Sequence, residues 1–168
     1  MATHQIPILG WQARPDDSGD VFWEPASIKQ TNGLWNYGVW IFNDTANRNG
    51  LYGAFIVPQN YVGSPAVKPL WTSTGITGDV EWDFDMRAIG GDDTESLDQA
   101  TAQESVNTND TAPSAIHERM LPSLALTAGN LAAGDLVQFG LFRDGTDAGD
   151  TMAAAAILHE LIFEYADA

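Results

Sequence analysis

The stretch that decides the fold runs from residue 79 to residue 87 and reads Asp79-Val80-Glu81-Trp82-Asp83-Phe84-Asp85-Met86-Arg87. Apolar and charged side chains alternate along it without a break, and successive side chains of a β-strand point to opposite faces of the sheet. The pattern predicts a central antiparallel strand with one face on the core and the other facing solvent or a partner. A slip of one residue would bury the carboxylates, so the pairing register is strongly fixed.

Short runs rich in β-branched and aromatic residues lie on both sides of this strand. Turn signals separate them roughly every 8–12 residues, which is typical of a sandwich or a barrel. We therefore predict an all-β protein built on an antiparallel β-sandwich. The runs are Leu34–Phe42, Leu51–Val57, Ala66–Ser73, Leu121–Leu126 and Leu136–Asp144.

The last eighteen residues carry two conflicting signals. Asp150 followed by Thr151 and an alanine-rich run is typical of a capped helix. Apolar residues from Ile157 to Tyr165, however, alternate with Glu160 and Glu164 at the period of a strand. We favour a strand over roughly residues 155–165, because the run at residues 136–144 needs a partner in the sandwich.

Residues 1–25 form a segment distinct from the sandwich domain, which we place at residues 26–168. Three prolines and an Asp-rich turn predict an extended N-terminal arm. Its apolar side chains must pack on the domain itself or on a neighbouring subunit. The interface candidates are Ile6, Ile8, Leu9, Trp11 and Trp23.

Residues 90–115 differ from their surroundings in being acidic and polar, with Leu97 and Val106 as the clear apolar residues. The composition predicts a long acidic surface loop with at most one weak strand, around residues 99–108. Loops of this length are usually functional or mobile.

Net charge limits the partners. Seven basic and 23 acidic residues give a formal net charge of −16, which repels phosphate backbones and anionic lipid. Neither nucleic acid nor a membrane is therefore an expected partner. The chain has no cysteine, which excludes disulfides and thiolate metal sites.

Catalytic and cofactor motifs are not recognisable in the sequence, so we expect a protein that is not an enzyme and has no cofactor. The best cation candidate is the loop that contains Asp144, Asp147 and Asp150, whose carboxylates could bind Ca²⁺. Asp and Gly also simply form turns, which we favour here. Six tryptophans could form a sugar-stacking platform, although core packing is their usual role.

Several short motifs occur together in one order along residues 21–167. They are Asn43-Asp44-Thr45, Leu51-Tyr52-Gly53, Val57-Pro58-Gln59-Asn60-Tyr61, Gly78-Asp79-Val80-Glu81-Trp82, Gly134-Asp135-Leu136-Val137, Arg143-Asp144-Gly145-Thr146-Asp147 and Phe163-Glu164-Tyr165. The combination resembles small accessory structural proteins of tailed-bacteriophage virions, which have a jelly-roll-like β-sandwich.

This resemblance implies a capsid-decorating (cement) or tail-associated protein of the virion, assembled in the host cytoplasm and commonly a homotrimer. It implies a major capsid protein or another virion protein as partner, and it carries over no catalytic residue. We expect residues 1–25 and the loop at residues 90–115 to make the contacts between subunits. The alternative is a carbohydrate-binding or fibre-associated module, which would use the same sandwich with exposed aromatic residues.

Overall fold

Two antiparallel sheets pack face to face in the computed structural model, which describes residues 1–10, 13–25, 37–91 and 94–167. The strands are β1 (Thr3–Pro7), β2 (Arg14–Pro15), β3 (Val21–Glu24), β4 (Val39–Phe42), β5 (Arg48–Ile56), β6 (Tyr61–Ser73), β7 (Asp79–Ile89), β8 (Glu104–Thr111), β9 (Leu124–Ala125), β10 (Leu136–Asp144) and β11 (Ala156–Asp167). One short 3-10 turn, Ala128–Asn130, precedes β10. The predicted all-β, jelly-roll-like sandwich is confirmed.

The strand order explains which residues share a surface. One sheet has the order β3-β4-β11-β6-β9, with β1 also paired to β11. The other sheet has the order β2-β5-β10-β7-β8. We call them the six-stranded and the five-stranded sheet. No helix in the described part of the chain is long and apolar enough to cross a membrane.

The stretch at residues 79–87 forms most of β7, and its alternation is the one predicted. Val80, Trp82, Phe84 and Met86 are all buried in the core between the sheets. The charged side chains point outward from the five-stranded sheet, but Glu81 is only 6% exposed. The charged face is therefore partly covered by neighbouring residues rather than fully open to solvent.

The strand predicted near the C-terminus is confirmed as β11, but the run at residues 136–144 is not its pairing partner: that run is β10 and pairs with β5 and β7 in the other sheet. An irregularity in β11 could not be predicted. Its pairing with β6 shifts register between Leu158 and Glu160. Leu158 and Leu161 are both fully buried although three positions separate them. Such a bulge lets His159 and Glu160 follow one another on the outward side, where strict alternation allows one.

The N-terminal segment is extended, as predicted, and its strands belong to the sheets. β1 pairs with β11 from Thr3 opposite Ala166 to Pro7 opposite Ile162. β2 pairs with β5, and β3 pairs with β4. The first twenty-five residues thus contribute strands to both layers of the sandwich.

The acidic region contains one strand, as its composition allowed, but at a position shifted toward the C-terminus. β8 pairs with β7 over eight residues, from Glu104 opposite Met86 to Thr111 opposite Asp79. It lies at the edge of the five-stranded sheet and begins five residues later than the expected weak strand. The outward carboxylates of β7 gave no sign of where β8 would start, because register depends on pairing partners distant in the sequence.

Candidate functional site

A groove crosses the outward face of the five-stranded sheet. Strand pairing places Tyr52 of β5 beside Gly140 of β10, Gly140 beside Asp85 of β7, and Asp85 beside Ser105 of β8. These four residues form one row perpendicular to the strands, which we call the central row. A pocket of about 300 Å³ lies over its first three positions. Side chains from strands far apart in the sequence therefore line a single surface.

Aromatic packing forms the floor of this groove. Phe142 occupies the space that side chains at Gly50 and Gly140 would need, because a Cβ at either glycine would clash with its ring. Phe142 is only 5% exposed, and the ring of Tyr52 contacts it edge-on with the centroids 5.6 Å apart. Tyr52 itself is 49% exposed. The floor thus ends in a half-exposed aromatic ring held in place from below.

Arg48 lies over Phe142 and is fixed by two carboxylates. Its guanidinium carbon is 3.7 Å from the centre of the Phe142 ring, a cation–π geometry. Its Nε donates to Asp83 at 2.6 Å, and its Nη2 donates to Asp85 at 2.8 Å. All three charged side chains are one-third exposed or less. The arrangement holds donors and acceptors in fixed directions beside Tyr52.

The charges of this cluster balance only in part. Burial alone would lower the pKa of Arg48, but its hydrogen bonds to Asp83 and Asp85 outweigh burial and raise the pKa. Burial raises the pKa of Asp83, and the Arg48 hydrogen bond offsets this only partly. Asp83 and Asp85 are hydrogen-bond acceptors at the groove, to which hydroxyl groups of a ligand can donate.

The loop before β8 forms one wall of the groove. Arg87 donates to the carbonyl of Thr101 and to Glu95, both at 3.3 Å, and Gln138 donates to the carbonyl of Leu97 at 3.0 Å. These contacts hold residues 95–101 along the side of the central row opposite Arg48. The acidic loop of the sequence is thus part of the groove.

The groove continues toward the sheet edge. A second pocket of about 450 Å³ is lined by Arg48, Asp83, Asp85, Ser105 and Asn107. It shares Arg48 and Asp85 with the first pocket. Ser105 and Asn107 are both exposed.

This combination of groups can contact a polyhydroxylated ligand. An exposed aromatic ring can stack on the apolar face of a sugar, and planar polar side chains can exchange hydrogen bonds with its hydroxyls. Within the described ranges, no three His, Asp or Glu side chains come together as metal ligands. Among the described residues that line the groove, no serine lies beside a histidine that could activate it as a nucleophile.

The predicted interface residues have different surroundings. Ile8 is 5% exposed and lies in the core, with Ile6 and Leu9 packed against it. Trp23 is 52% exposed and lies in a pocket of about 500 Å³ at the sandwich edge, shared with Leu9 and Trp40. Trp11 falls outside the described residues. The structure therefore brings Leu9 and Trp23 together and leaves Ile6 and Ile8 with the core.

The tryptophans follow the core-packing interpretation in part. Trp71 and Trp82 are fully buried, and Trp40 is partly buried against the core. Trp35 lies outside the described residues. Among the described tryptophans, Trp23 is the one that offers a half-exposed ring.

The calcium candidate is a turn whose carboxylates have protein partners. Asp150 binds Arg143 through both oxygens, at 2.8 and 2.7 Å. Asp144 accepts from the backbone and hydroxyl of Thr146, and Asp147 accepts from the backbone of Gly149. The three residues hold the loop together, which is the turn role weighed from the sequence; whether they also bind calcium stays a prediction.

Sequence reasoning missed Arg48, Tyr52 and Phe142 as members of a site. One usable signal was present. Gly140 lies inside a predicted strand and Gly50 directly before one, and a glycine in such a position often marks the close approach of another group. Which group approaches depends on the pairing of β5 with β10, and that pairing is not visible in local sequence.

Neither a protein-family model nor a curated protein sequence matches the chain. Solved structures do match. The family 35 carbohydrate-binding module from Clostridium thermocellum is similar with a TM-score of 0.53 and 12% identity, over 97% of this chain and 98% of that chain. The K1 cleaved adhesin domain of Lys-gingipain from Porphyromonas gingivalis W83 is similar with a TM-score of 0.51 and 14% identity, over 97% and 98% of the two chains.

A third match is part of a larger enzyme. The exo-β-1,3-galactanase from Phanerochaete chrysosporium, solved with β-1,3-galactotriose, is similar with a TM-score of 0.51 and 13% identity. The match covers 97% of this chain and 29% of that chain. Identities this low show the fold alone. The chain has the β-sandwich fold that carbohydrate-binding modules have, and nothing in these comparisons indicates a virion protein.

Proposed function

We propose that the protein is a non-catalytic carbohydrate-binding module whose ligand lies in the groove of the five-stranded sheet. The observation that carries this proposal is the half-exposed ring of Tyr52 beside Arg48, which Asp83 and Asp85 hold in place. Sugar recognition needs an apolar platform next to oriented polar groups, and this groove supplies both.

Rigidity also supports the proposal. Arg48 has little freedom to lose, because an aromatic ring and two carboxylates already fix its guanidinium. Binding groups that are ordered beforehand avoid part of the entropy cost of association. The fold comparisons agree with a binding module, because a carbohydrate-binding module of similar structure spans nearly the same length.

The capsid-decorating role, which was the main prediction from the sequence, has no comparable support. Its predicted trimer and capsid partner rest on short sequence motifs, and the similar solved structures favour the carbohydrate-binding alternative. Mass measurement of the purified protein in solution tests the homotrimer directly.

The proposal is tested by a glycan array followed by calorimetry on the best ligand. Tyr52→Ala should weaken binding at least about ten-fold, because loss of a stacking ring removes its buried apolar contact. Tyr37→Ala is the matched control, since Tyr37 is 50% exposed and lies against His159 on the other sheet. An array without any bound glycan, or equal losses in the two variants, would reject the groove as a carbohydrate site.

A further inference from the structure

We infer that the ligand is an unbranched, uncharged oligosaccharide that lies across the strands, fills at least three sugar positions and contacts Asn107 with its far unit. This inference rests on the proposed carbohydrate function and specifies the class of ligand. It follows from the length of the groove, its charge balance and its open ends.

The length of the groove follows from the number of strands that the central row crosses. Tyr52 and Ser105 are the ends of a four-residue row whose members are opposite one another in neighbouring strands. Neighbouring strands lie about 4.8 Å apart, so the row spans about 14 Å. The two pockets along it are neighbours that share Arg48 and Asp85, whose ion pair lies between them. A monosaccharide beside Tyr52 would leave the second pocket empty, whereas a trisaccharide reaches β8.

The far pocket offers hydrogen-bonding groups suited to a sugar. Asn107 is the neighbour of Asp83 in the strand pairing, and its exposed amide has both donors and an acceptor. Ser105 adds a hydroxyl one position along the same face of β8. Asp83 and Asp85 lie between this amide and Tyr52, so carboxylate acceptors stand between the two ends of the groove.

Charge selects against acidic sugars. Arg48 is bound by Asp83 and Asp85, and Arg87 is bound by Glu95, so each described arginine in the groove already faces a carboxylate. The chain as a whole carries a net charge of −16. A polysaccharide with carboxylate or sulfate groups would meet this field with no unpaired arginine among the described groove residues to receive it.

Among the described residues, none closes either end of the groove. β8 is an edge strand, and on the other side of β5 the described part of the sheet continues as the two-residue β2. Arg14, which is opposite Tyr52 at that end, has an 80% exposed side chain. A chain can therefore extend past the sheet in both directions, and the groove fits an internal segment of a polysaccharide. The wall formed by residues 95–101 restricts side branches at the central positions.

The test is calorimetry with neutral xylo-, cello- and galacto-oligosaccharides of two to five units, and with an acidic and a branched counterpart of the series that binds. For the series that binds, we expect affinity to rise about ten-fold from the disaccharide to the trisaccharide and to change little beyond the tetrasaccharide. Asn107→Ala should weaken trisaccharide binding about five-fold, the value of one hydrogen bond, and leave disaccharide binding unchanged. The disaccharide thus serves as the folding and activity control for this variant.

The outcomes separate the two proposals. If no neutral or acidic glycan binds, the proposed carbohydrate function fails. If glycans bind but the disaccharide binds as tightly as the trisaccharide, or an acidic or branched glycan binds more tightly than its neutral linear counterpart, the proposed function stands and this inference is overturned. An equal effect of Asn107→Ala on both lengths also overturns it.

Discussion

Replacing Arg143 with methionine should lower the free energy of unfolding, because Arg143 fixes the segment between β10 and β11. The Arg143 side chain is 2% exposed and that of Asp150 is 1% exposed. Besides the two bonds to Asp150, Arg143 donates to the carbonyls of Ala154, at 2.7 Å, and Met152, at 2.5 Å. It therefore connects the end of β10 to the segment that leads into β11.

The expected loss follows from what the substitution leaves behind. Arg143→Met leaves the Asp150 carboxylate buried without its counter-ion, and breaking such a pair costs about 3–5 kcal/mol. For a domain of this size that corresponds to a fall in Tm of about 10 °C. Urea unfolding monitored by tryptophan fluorescence measures the free energy of unfolding directly. The control is Arg14→Met, whose side chain is 80% exposed and whose loss should change stability by about 0.5 kcal/mol or less.

A second substitution tests the cause. Arg143→Met combined with Asp150→Leu should recover part of the loss, because the uncompensated charge is then gone. The recovery should be incomplete, since Asp150 also accepts the backbone N–H of Glu81. A loss below about 1 kcal/mol for Arg143→Met alone, or no recovery in the double variant, would refute the assignment of this ion pair as the anchor of the loop.

Three further substitutions test the packing. Burial raises the pKa of Glu81, so the charged carboxylate destabilises the folded protein. Glu81→Gln should therefore increase the free energy of unfolding by about 1 kcal/mol at pH 7. This gain should disappear in thermal unfolding below the ordinary pKa of glutamate, where the native side chain is protonated in both the folded and the unfolded state. Leu161→Ala should cost about 2–5 kcal/mol in urea unfolding through its cavity, whereas Ile162→Ala, on the half-buried outward side, should cost clearly less. The indole N–H of Trp71 donates to Asp110 at 2.7 Å, and burial raises the pKa of this carboxyl. Trp71→Phe removes the donor and should lower the free energy of unfolding by about 1–3 kcal/mol at pH 7. An equal loss at low pH, where Asp110 is protonated, would contradict a role of the hydrogen bond to the charged carboxylate.

Local sequence determines the layers of this fold better than the surface they present. The alternation around Trp82 predicted both the strand and its buried face, because burial of four large apolar side chains outweighs any other arrangement of that segment. The period-two pattern before Tyr165 likewise outweighed the helix signal at Asp150, since β6 provides a partner along the whole strand.

The groove could not be predicted in the same way. Its central row combines Tyr52, Gly140, Asp85 and Ser105, which are neighbours only through the pairing of four strands. A change of one residue in any of these registers would bring different side chains together. The bulge before Glu160 is a similar case, because no residue type there marks it.

The pairing of β1 with β11 has a consequence for protein engineering. The backbone N–H of Ala2 donates to Asp167, and the backbone N–H of Asp167 donates to the carbonyl of Ala2, so the two chain ends are hydrogen-bonded neighbours. A short glycine–serine tether could join them, and a circular permutant with new ends elsewhere on the surface would keep every strand pairing intact. Tandem copies linked through these ends would start and finish at one corner of each unit, which gives multivalent reagents with a defined attachment point.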